Sequence, residues 1–156
     1  MPRRRSAPST SWRQPRRRPR ESVPAAAVTI PPTLYQRLGG DAGLQAIASS
    51  LYAWMERLPE AAHVHSLHRM GMDEVRTRLV AFLSRFFDGP DRYRELYGEP
   101  MMRRRHMHIP IGPAERDAWM LCMHKSLEEN IPDQGLRAEV EARFAAFAEH
   151  MRNRDG

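Results

Sequence analysis

Between residues 101 and 124 the chain reads Met101-Met-Arg-Arg-Arg-His106-Met-His-Ile-Pro110-Ile-Gly-Pro113-Ala-Glu-Arg-Asp-Ala-Trp119-Met-Leu-Cys-Met-His124. This stretch places a histidine behind three arginines and ahead of a tryptophan. Because proline disrupts a helix interior but fits the first turn of a helix, Pro110 predicts a break and Pro113 predicts a helix start. Apolar residues then recur on one side, so the pattern predicts a helix over residues 114–129.

The rest of the chain, from residue 33 onwards, is also patterned as helices. Apolar residues recur at intervals of three and four, which gives each segment one apolar face. Three further segments show this spacing: 44–55, 75–86 and 136–151. A short helical piece is also expected around residues 91–96. Asp41 and Asp73 stand at the start of two helices and are expected to cap them through their carboxylates. Since no segment alternates over the length of a strand, the sequence predicts an all-α domain of about five helices.

The positive charge of the chain is concentrated at its N-terminus. Residues 1–32 hold eight of the 25 basic and one of the 19 acidic residues, which leaves 17 basic and 18 acidic residues for 33–156. A segment so rich in arginine and proline buries too little apolar surface to fold, so we expect residues 1–32 to be a disordered tail. Any binding of nucleic acid or membrane lipid would occur through this tail and not through the nearly neutral domain, 33–156.

Cysteine content and hydropathy restrict the compartment and the class of site. The single cysteine, Cys122, excludes an intrachain disulfide and a multi-cysteine zinc site. The sequence shows neither a run of about 18 apolar residues nor an export signal, so we expect a cytoplasmic protein. His63, His65 and His68 have a spacing that zinc or nickel can accept, but a loop of solvated histidines is the simpler interpretation.

The histidine and the arginines of the 101–124 stretch suggest one particular cofactor. A neutral imidazole is a common axial ligand of haem iron, which makes His106 a candidate ligand, although His108 has the same chemistry two residues later. The preceding arginines can pair with haem carboxylates through parallel hydrogen bonds. Met102 offers a soft apolar surface that can pack on a flat ring. Each of these residues also has a purely structural explanation, namely a solvated surface or a filled core.

Two aromatic residues on apolar helix faces, Tyr52 and Trp119, are usually explained by core packing. Each also carries a polar group, a phenol hydroxyl or an indole N–H, that needs a partner when it is buried. If both face one cavity, they can donate hydrogen bonds to a bound diatomic molecule. His68 lies between two helical segments, where it can reach the same space.

From Thr33 to about Arg154 the chain resembles the group II truncated haemoglobins. The most specific segments are Arg103-Arg-Arg-His106 and Glu115-Arg-Asp-Ala-Trp119. Further matching segments are Thr33-Leu-Tyr-Gln-Arg-Leu-Gly-Gly-Asp41, Leu51-Tyr52, Phe82-Leu83, Asp88-Gly-Pro90, Tyr97-Gly-Glu-Pro100, Ile111-Gly-Pro-Ala114 and Leu121-Cys-Met123. The resemblance implies a two-over-two helical sandwich around haem b.

The resemblance also implies roles for individual residues. His106 matches the family's proximal iron ligand, and this match favours it over His108. Tyr52 matches the distal tyrosine, and Trp119 matches the tryptophan that lies over the haem. Ten residues are accordingly expected to contact the haem or its ligand: Met102, Arg103, Arg105, His106, Tyr52, His68, Val75, Leu79, Trp119 and Met123.

The function implied by the resemblance is reversible binding of O₂, NO and CO at ferrous iron. Hydrogen bonds from Trp119 and Tyr52, assisted by His68, would slow the release of O₂, which favours NO or peroxide detoxification or sensing over bulk transport. The residues leave open whether the chain is an NO dioxygenase or a peroxidase-like enzyme.

A reductase is an expected partner, and the chain would act as a monomer or homodimer. The alternative class is a haem-free helical interaction module whose basic tail binds nucleic acid or membrane.

Overall fold

The computed structural model describes residues 30–156, which form eight α-helices and one 3₁₀ helix, Pro59–Ala61. In chain order the α-helices are α1 Leu34–Arg37, α2 Gly40–Arg57, α3 Ala62–Ser66, α4 Met72–Phe86, α5 Arg92–Tyr97, α6 Met102–Arg105, α7 Pro113–Asn130 and α8 Gln134–Met151. These residues contain no strand, so the predicted all-α class is confirmed. Across the same residues, no helix is both long enough and apolar enough to cross a membrane. Most of the segment expected to be a disordered tail, residues 1–32, lies outside the described part.

The four long helices, α2, α4, α7 and α8, follow the four apolar patterns of the sequence, and α7 begins at Pro113 as predicted. The short α5 is also predicted. Helices α1, α3 and α6 are not, so the expected number of about five helices is too low. Each of these three helices spans only four or five residues. That length is too short for an apolar period of three to four residues to be recognised.

Asp41 and Asp73 do not cap their helices, contrary to the prediction. Each is the second residue of its helix, since α2 begins after Gly39 and α4 begins after Gly71. Gly39 has a φ of 93°, a left-handed conformation that glycine adopts without strain, and this turn starts α2 earlier than expected. The Asp41 carboxylate instead accepts a hydrogen bond of 2.6 Å from the Tyr35 hydroxyl.

Helix α2 is central to the fold, since it packs against both α4 and α7, and α7 packs in turn against α8. The buried residues of α2 are Leu44, Ile47, Ala48, Leu51, Tyr52 and Met55. All of these except Ala48 meet Leu83 of α4, Met123 and Leu127 of α7, and Val140 and Phe144 of α8 in one apolar core. Burying an aliphatic or aromatic side chain contributes about 1.5–3 kcal/mol relative to leaving it exposed. These contacts therefore fix the four long helices relative to one another.

Gly43 lies in α2 at a point of very close backbone approach. A Cβ atom at this position would lie 1.7 Å from the carbonyl oxygen of Leu38, so the backbone would have to move. We expect Gly43→Ala to lower the free energy of unfolding by about 1–3 kcal/mol, the range for overpacking. Gly135→Ala in the first turn of α8 is the matched control, because its nearest contact, to Asp133 Oδ1, is 3.4 Å. Urea unfolding followed by circular dichroism measures both, and equal stability of Gly43→Ala and wild type would contradict the prediction.

Candidate functional site

A cavity of about 480 Å³ lies among α2, α4, α7, α8 and the loops around α6. This volume falls within the range of about 300–1,000 Å³ that is usual for small-molecule sites. Eight of the ten residues expected at the haem line the cavity: Tyr52, His68, Val75, Leu79, Met102, Arg105, His106 and Trp119. Residues selected from distant parts of the sequence therefore converge on one place.

Arg103 and Met123 do not line this cavity. Met123 is fully buried, because one turn after Trp119 helix α7 is already covered by the apolar core. Arg103 is exposed, and its Nη2 donates a hydrogen bond of 3.4 Å to the carbonyl oxygen of Arg152. Sequence position places both residues near the site, but the rotation of each helix turns them away from the cavity.

His106 directly follows α6, and its imidazole lines the cavity. Its Nδ1 lies 2.7 Å from the carbonyl oxygen of Met102. Because a carbonyl only accepts, Nδ1 carries the proton of the neutral ring, and Nε2 keeps a free lone pair. Burial lowers the pKa of His106, and the nearby His108 and Arg105 lower it further. At pH 7 the ring is therefore neutral, the state in which imidazole binds a metal ion.

His108 also lines the cavity but differs from His106 in its surroundings. Its side chain is exposed, whereas His106 is half-buried. Among the described residues, none makes a hydrogen bond that would fix the tautomer of His108. A metal-ligating histidine regularly donates a hydrogen bond from its other ring nitrogen, so the local geometry favours His106 over His108.

Tyr52 and His68 meet edge to face at the cavity wall, with ring centroids 5.6 Å apart. Tyr52 is only 7% exposed, and burial raises the pKa of its hydroxyl, which therefore keeps its proton. Within residues 30–156 this hydroxyl has no hydrogen-bond partner. The Tyr52 hydroxyl is therefore available to a ligand in the cavity.

His68 offers the cavity a lone pair and not a proton. Its Nδ1 lies 3.0 Å from the carbonyl oxygen of Val64 and 3.3 Å from that of His65, so Nδ1 carries the proton of the neutral ring. Burial lowers the pKa of His68, which keeps the ring neutral at pH 7. His68 therefore does not assist as a hydrogen-bond donor. Its ring packs against that of Tyr52, and its Nε2 can accept a hydrogen bond.

The lowered pKa of His68 predicts a loss of stability in acid. Below the ordinary histidine pKa of about 6.5 the unfolded chain binds a proton at this position before the folded chain does, so unfolding is favoured as the pH falls from there. One such proton changes the free energy of unfolding by at most about 1.4 kcal/mol per pH unit. We expect His68→Gln to lose less stability than wild type between pH 7 and pH 5 in urea unfolding. The same pH dependence in both proteins would refute this explanation.

Trp119 brings a second unpaired donor to the cavity, from helix α7. Its ring is half-buried and packs edge-on against Phe144, with centroids 5.8 Å apart. No acceptor for the indole N–H is present among residues 30–156. Two hydrogen-bond donors, one on α2 and one on α7, thus reach a cavity with a mostly apolar wall.

Four arginines line the cavity: Arg69, Arg78, Arg105 and Arg116. Arg78 and Arg116 are already paired with carboxylates. Arg105 donates instead to the backbone carbonyls of Tyr97 and Glu99, at 3.1 and 2.9 Å. Arg69 and Arg105 have no carboxylate partner in the described part of the chain, so both can balance an anionic group at the cavity.

The spacing of His63, His65 and His68 does not produce a metal site. Across residues 30–156 no three His, Cys, Asp or Glu side chains come together in a way that could hold a metal ion. His63 Nε2 lies 3.1 Å from Glu115 Oε1, while His68 lines the cavity. The expected loop of solvated histidines is wrong in part: His63 and His65 lie on α3, only His63 of the three is exposed, and His68 is half-buried in the cavity wall.

Helix α8 supplies a part of the cavity wall that the sequence does not reveal. Phe147, Ala148 and Met151 line the cavity. Phe147 and Met151 belong to the apolar stripe of α8, and a stripe of this kind is more often explained by core packing. Their only signal is their four-residue spacing, which the buried core residues Val140 and Phe144 share. The sequence therefore contains nothing that separates wall from core on this helix.

The comparisons with known proteins agree with this geometry. A family model for bacterial-like globins matches residues 33–153. The group 2 truncated hemoglobin YjbI of Bacillus subtilis (strain 168) is 26% identical over 111 residues, which cover 71% of this chain and 84% of that protein. The family model spans all the helices that surround the cavity.

Solved structures of truncated haemoglobins are also similar to this chain. The cold-adapted truncated hemoglobin from the Antarctic marine bacterium Pseudoalteromonas haloplanktis TAC125 is 36% identical with a TM-score of 0.76, over 79% of this chain and 99% of that one. The group II 2-on-2 hemoglobin from the plant pathogen Agrobacterium tumefaciens is 38% identical with a TM-score of 0.76, over 81% and 98% of the two chains. The expected two-over-two helical fold is thereby confirmed. This chain belongs to the bacterial-like globin family and, within it, to the group II truncated haemoglobins.

Proposed function

We propose that this chain binds haem b in the cavity through Nε2 of His106 and reversibly binds O₂, NO and CO there. The carrying observation is the 2.7 Å hydrogen bond from His106 Nδ1 to the Met102 carbonyl, which leaves a free Nε2 lone pair on a ring that lines the cavity. Membership of the globin family supports the choice of cofactor, because haem is the group that globins bind.

The residues around the cavity fit haem in three further respects. Val75, Leu79 and Met102 contribute apolar walls suited to a flat macrocycle. Arg69 and Arg105 lack carboxylate partners among the described residues, and guanidinium groups pair well with the haem carboxylates. The single cysteine and the lack of an attachment motif in the sequence fit a cofactor that is held without a covalent bond to the chain.

Haem, when bound, would supply the iron chemistry of diatomic-ligand binding. Trp119 and Tyr52 would donate hydrogen bonds to such a ligand, since both line the cavity and their donors make no hydrogen bond within residues 30–156. The mostly apolar wall lowers the local polarity, which would make each of these hydrogen bonds stronger than it is in solution. His68 packs against the Tyr52 ring and thereby limits its orientation.

We further propose that the physiological role is ligand chemistry or sensing and not bulk oxygen transport. Two donors that hold a ligand slow its release, and slow release suits NO dioxygenation, peroxide reduction or a sensor better than delivery. A reductase that returns the iron to the ferrous state is the partner that such turnover requires. The alternative, a haem-free interaction module, is based on the eight arginines of residues 1–32. All eight lie outside the described residues.

Visible absorption spectra of the purified protein test the proposal. We expect an intense Soret band that shifts on reduction and shifts again when CO is added. Titration of haem-free protein with haemin should saturate at one haem per chain. A colourless protein that takes up no haemin would contradict haem binding and favour the haem-free interaction module.

A further inference from the structure

The segment that follows α8 is attached to the loop that carries His106. The backbone amides of Asn153 and Arg154 both donate to the carbonyl oxygen of Ile111, at 2.9 and 3.1 Å. Ile111 lies near the end of the loop between α6 and α7, and His106 lies at its beginning. The chain beyond α8 therefore contacts the loop directly.

The side chain of Asn153 extends this attachment along the whole loop. Its Nδ2 donates to the carbonyl oxygens of His106 and Ile109, at 3.2 and 2.8 Å. Its Oδ1 accepts from the amide of Ile111, at 2.9 Å. One half-buried amide group thus uses both its donor and acceptor capacity on three successive points of the loop.

His106 needs an external support of this kind. Helix α6 has only four residues, Met102–Arg105, and so short a helix is not stable in isolation. The His106 ring is tied to Met102 in that same short helix. The hydrogen bond from Asn153 to the His106 carbonyl is a link from this backbone to a long helix, α8.

We propose that Asn153 is a positioning residue for His106: it holds the 106–111 loop on the end of α8 and so sets the direction in which Nε2 faces the cavity. This inference rests on the proposed role of His106 as the haem ligand. Without Asn153 the imidazole would adopt several orientations, so its bond to iron would weaken and become heterogeneous.

Two variants separate the contacts. Asn153→Ala loses all three side-chain hydrogen bonds, whereas Asn153→Asp keeps the acceptor for Ile111 and loses the donors to His106 and Ile109. Asn130→Ala is the matched control, since Asn130 Nδ2 donates to the Ser126 carbonyl at 2.8 Å near the end of α7. Asn130 is also half-buried and does not line the cavity.

The decisive readout is the iron–histidine stretching band in the resonance Raman spectrum of the ferrous, ligand-free holoprotein. We expect the band to shift and broaden in Asn153→Ala and Asn153→Asp and to stay unchanged in Asn130→Ala. Haem transfer to apomyoglobin should be about tenfold faster in both Asn153 variants, the lower end of the effect of losing a group that supports a metal ligand. In haem-free protein, amide exchange should accelerate in residues 106–112 but not in α2.

Three other outcomes would each refute the positioning role of Asn153. An unchanged Raman band and an unchanged haem transfer rate in both Asn153 variants would refute the positioning role while leaving the proposed function intact. Faster amide exchange throughout the domain, with an unshifted band, would reduce Asn153 to a general structural residue and also refute it. A wild-type protein that binds haem without an iron–histidine band would refute His106 as the ligand, and the positioning role with it.

Discussion

Replacing His106 with glycine should remove the iron–histidine band and accelerate haem loss by at least about 100-fold. Loss of a group that hydrogen-bonds to a metal ligand costs about 10- to 100-fold in metal affinity, and here the proposed ligand itself is removed. The cavity wall would remain, because His106 is only half-buried and lies outside the apolar core. Resonance Raman spectroscopy and haem transfer to apomyoglobin measure the two effects.

Two controls make this experiment specific for the ligand. Imidazole added to His106→Gly should restore the band, because the free ring can occupy the vacated space. His108→Ala should behave like wild type, since His108 lines the same cavity but is exposed and has no hydrogen bond within residues 30–156 that orients it. The assignment of His106 fails if His108→Ala loses the band and His106→Gly keeps it.

Removing the two cavity donors should produce the second large effect, a faster release of O₂. A hydrogen bond to a charged or strongly polarised group contributes about 1.5–3 kcal/mol, and each 1.36 kcal/mol corresponds to about one decade in rate. We therefore expect Trp119→Phe and Tyr52→Phe each to raise the O₂ dissociation rate by about 10- to 100-fold. CO dissociation should change less, because bound CO is a weaker acceptor. Stopped-flow displacement of O₂ by CO gives the rates.

Trp54→Phe is the matched control for the loss of an indole N–H. Trp54 lies on α2, two residues after Tyr52, but it does not line the cavity, and its ring contacts Arg57 and Lys125 instead. Its buried Nε1 has no hydrogen-bond partner among the described residues, so the substitution removes no hydrogen bond. An O₂ dissociation rate that rises as much in Trp54→Phe as in Trp119→Phe would show that the effect is not a donor effect.

Much of the fold can be predicted from the order of residues because long helices carry their own signal. A three-to-four-residue apolar period over 15 to 18 residues identifies α2, α4, α7 and α8, and Pro113 marks the start of α7. Short helices such as α3 and α6 lack this period. The buried residue of α3, Val64, is fixed by contacts with the apolar core rather than by local pattern, and α6 has no buried residue.

Most of the candidate site is also accessible from the sequence, but only through its resemblance to a family. Composition and spacing by themselves leave His106 and His108 as alternatives and leave Tyr52 and Trp119 as ordinary core residues. Arg103 and Met123 show that the position of a residue in a sequence motif does not decide whether its side chain reaches the site. Both lie within a few residues of the cavity lining, yet neither lines the cavity, because helix rotation decides which side chains reach it.

The sequence alone determined the all-helical class and the four long helices, because these depend on residues close together along the chain, and the family resemblance added the residues from which a haem site can be built. Tertiary structure decided the rest. The protonated nitrogen of His68 is set by the carbonyls of Val64 and His65, which makes the ring an acceptor. Asn153 reaches the loop after His106 from the far end of the chain. Contacts of this kind depend on where backbone groups meet in space, and neither apolar periodicity nor a sequence motif predicts those positions.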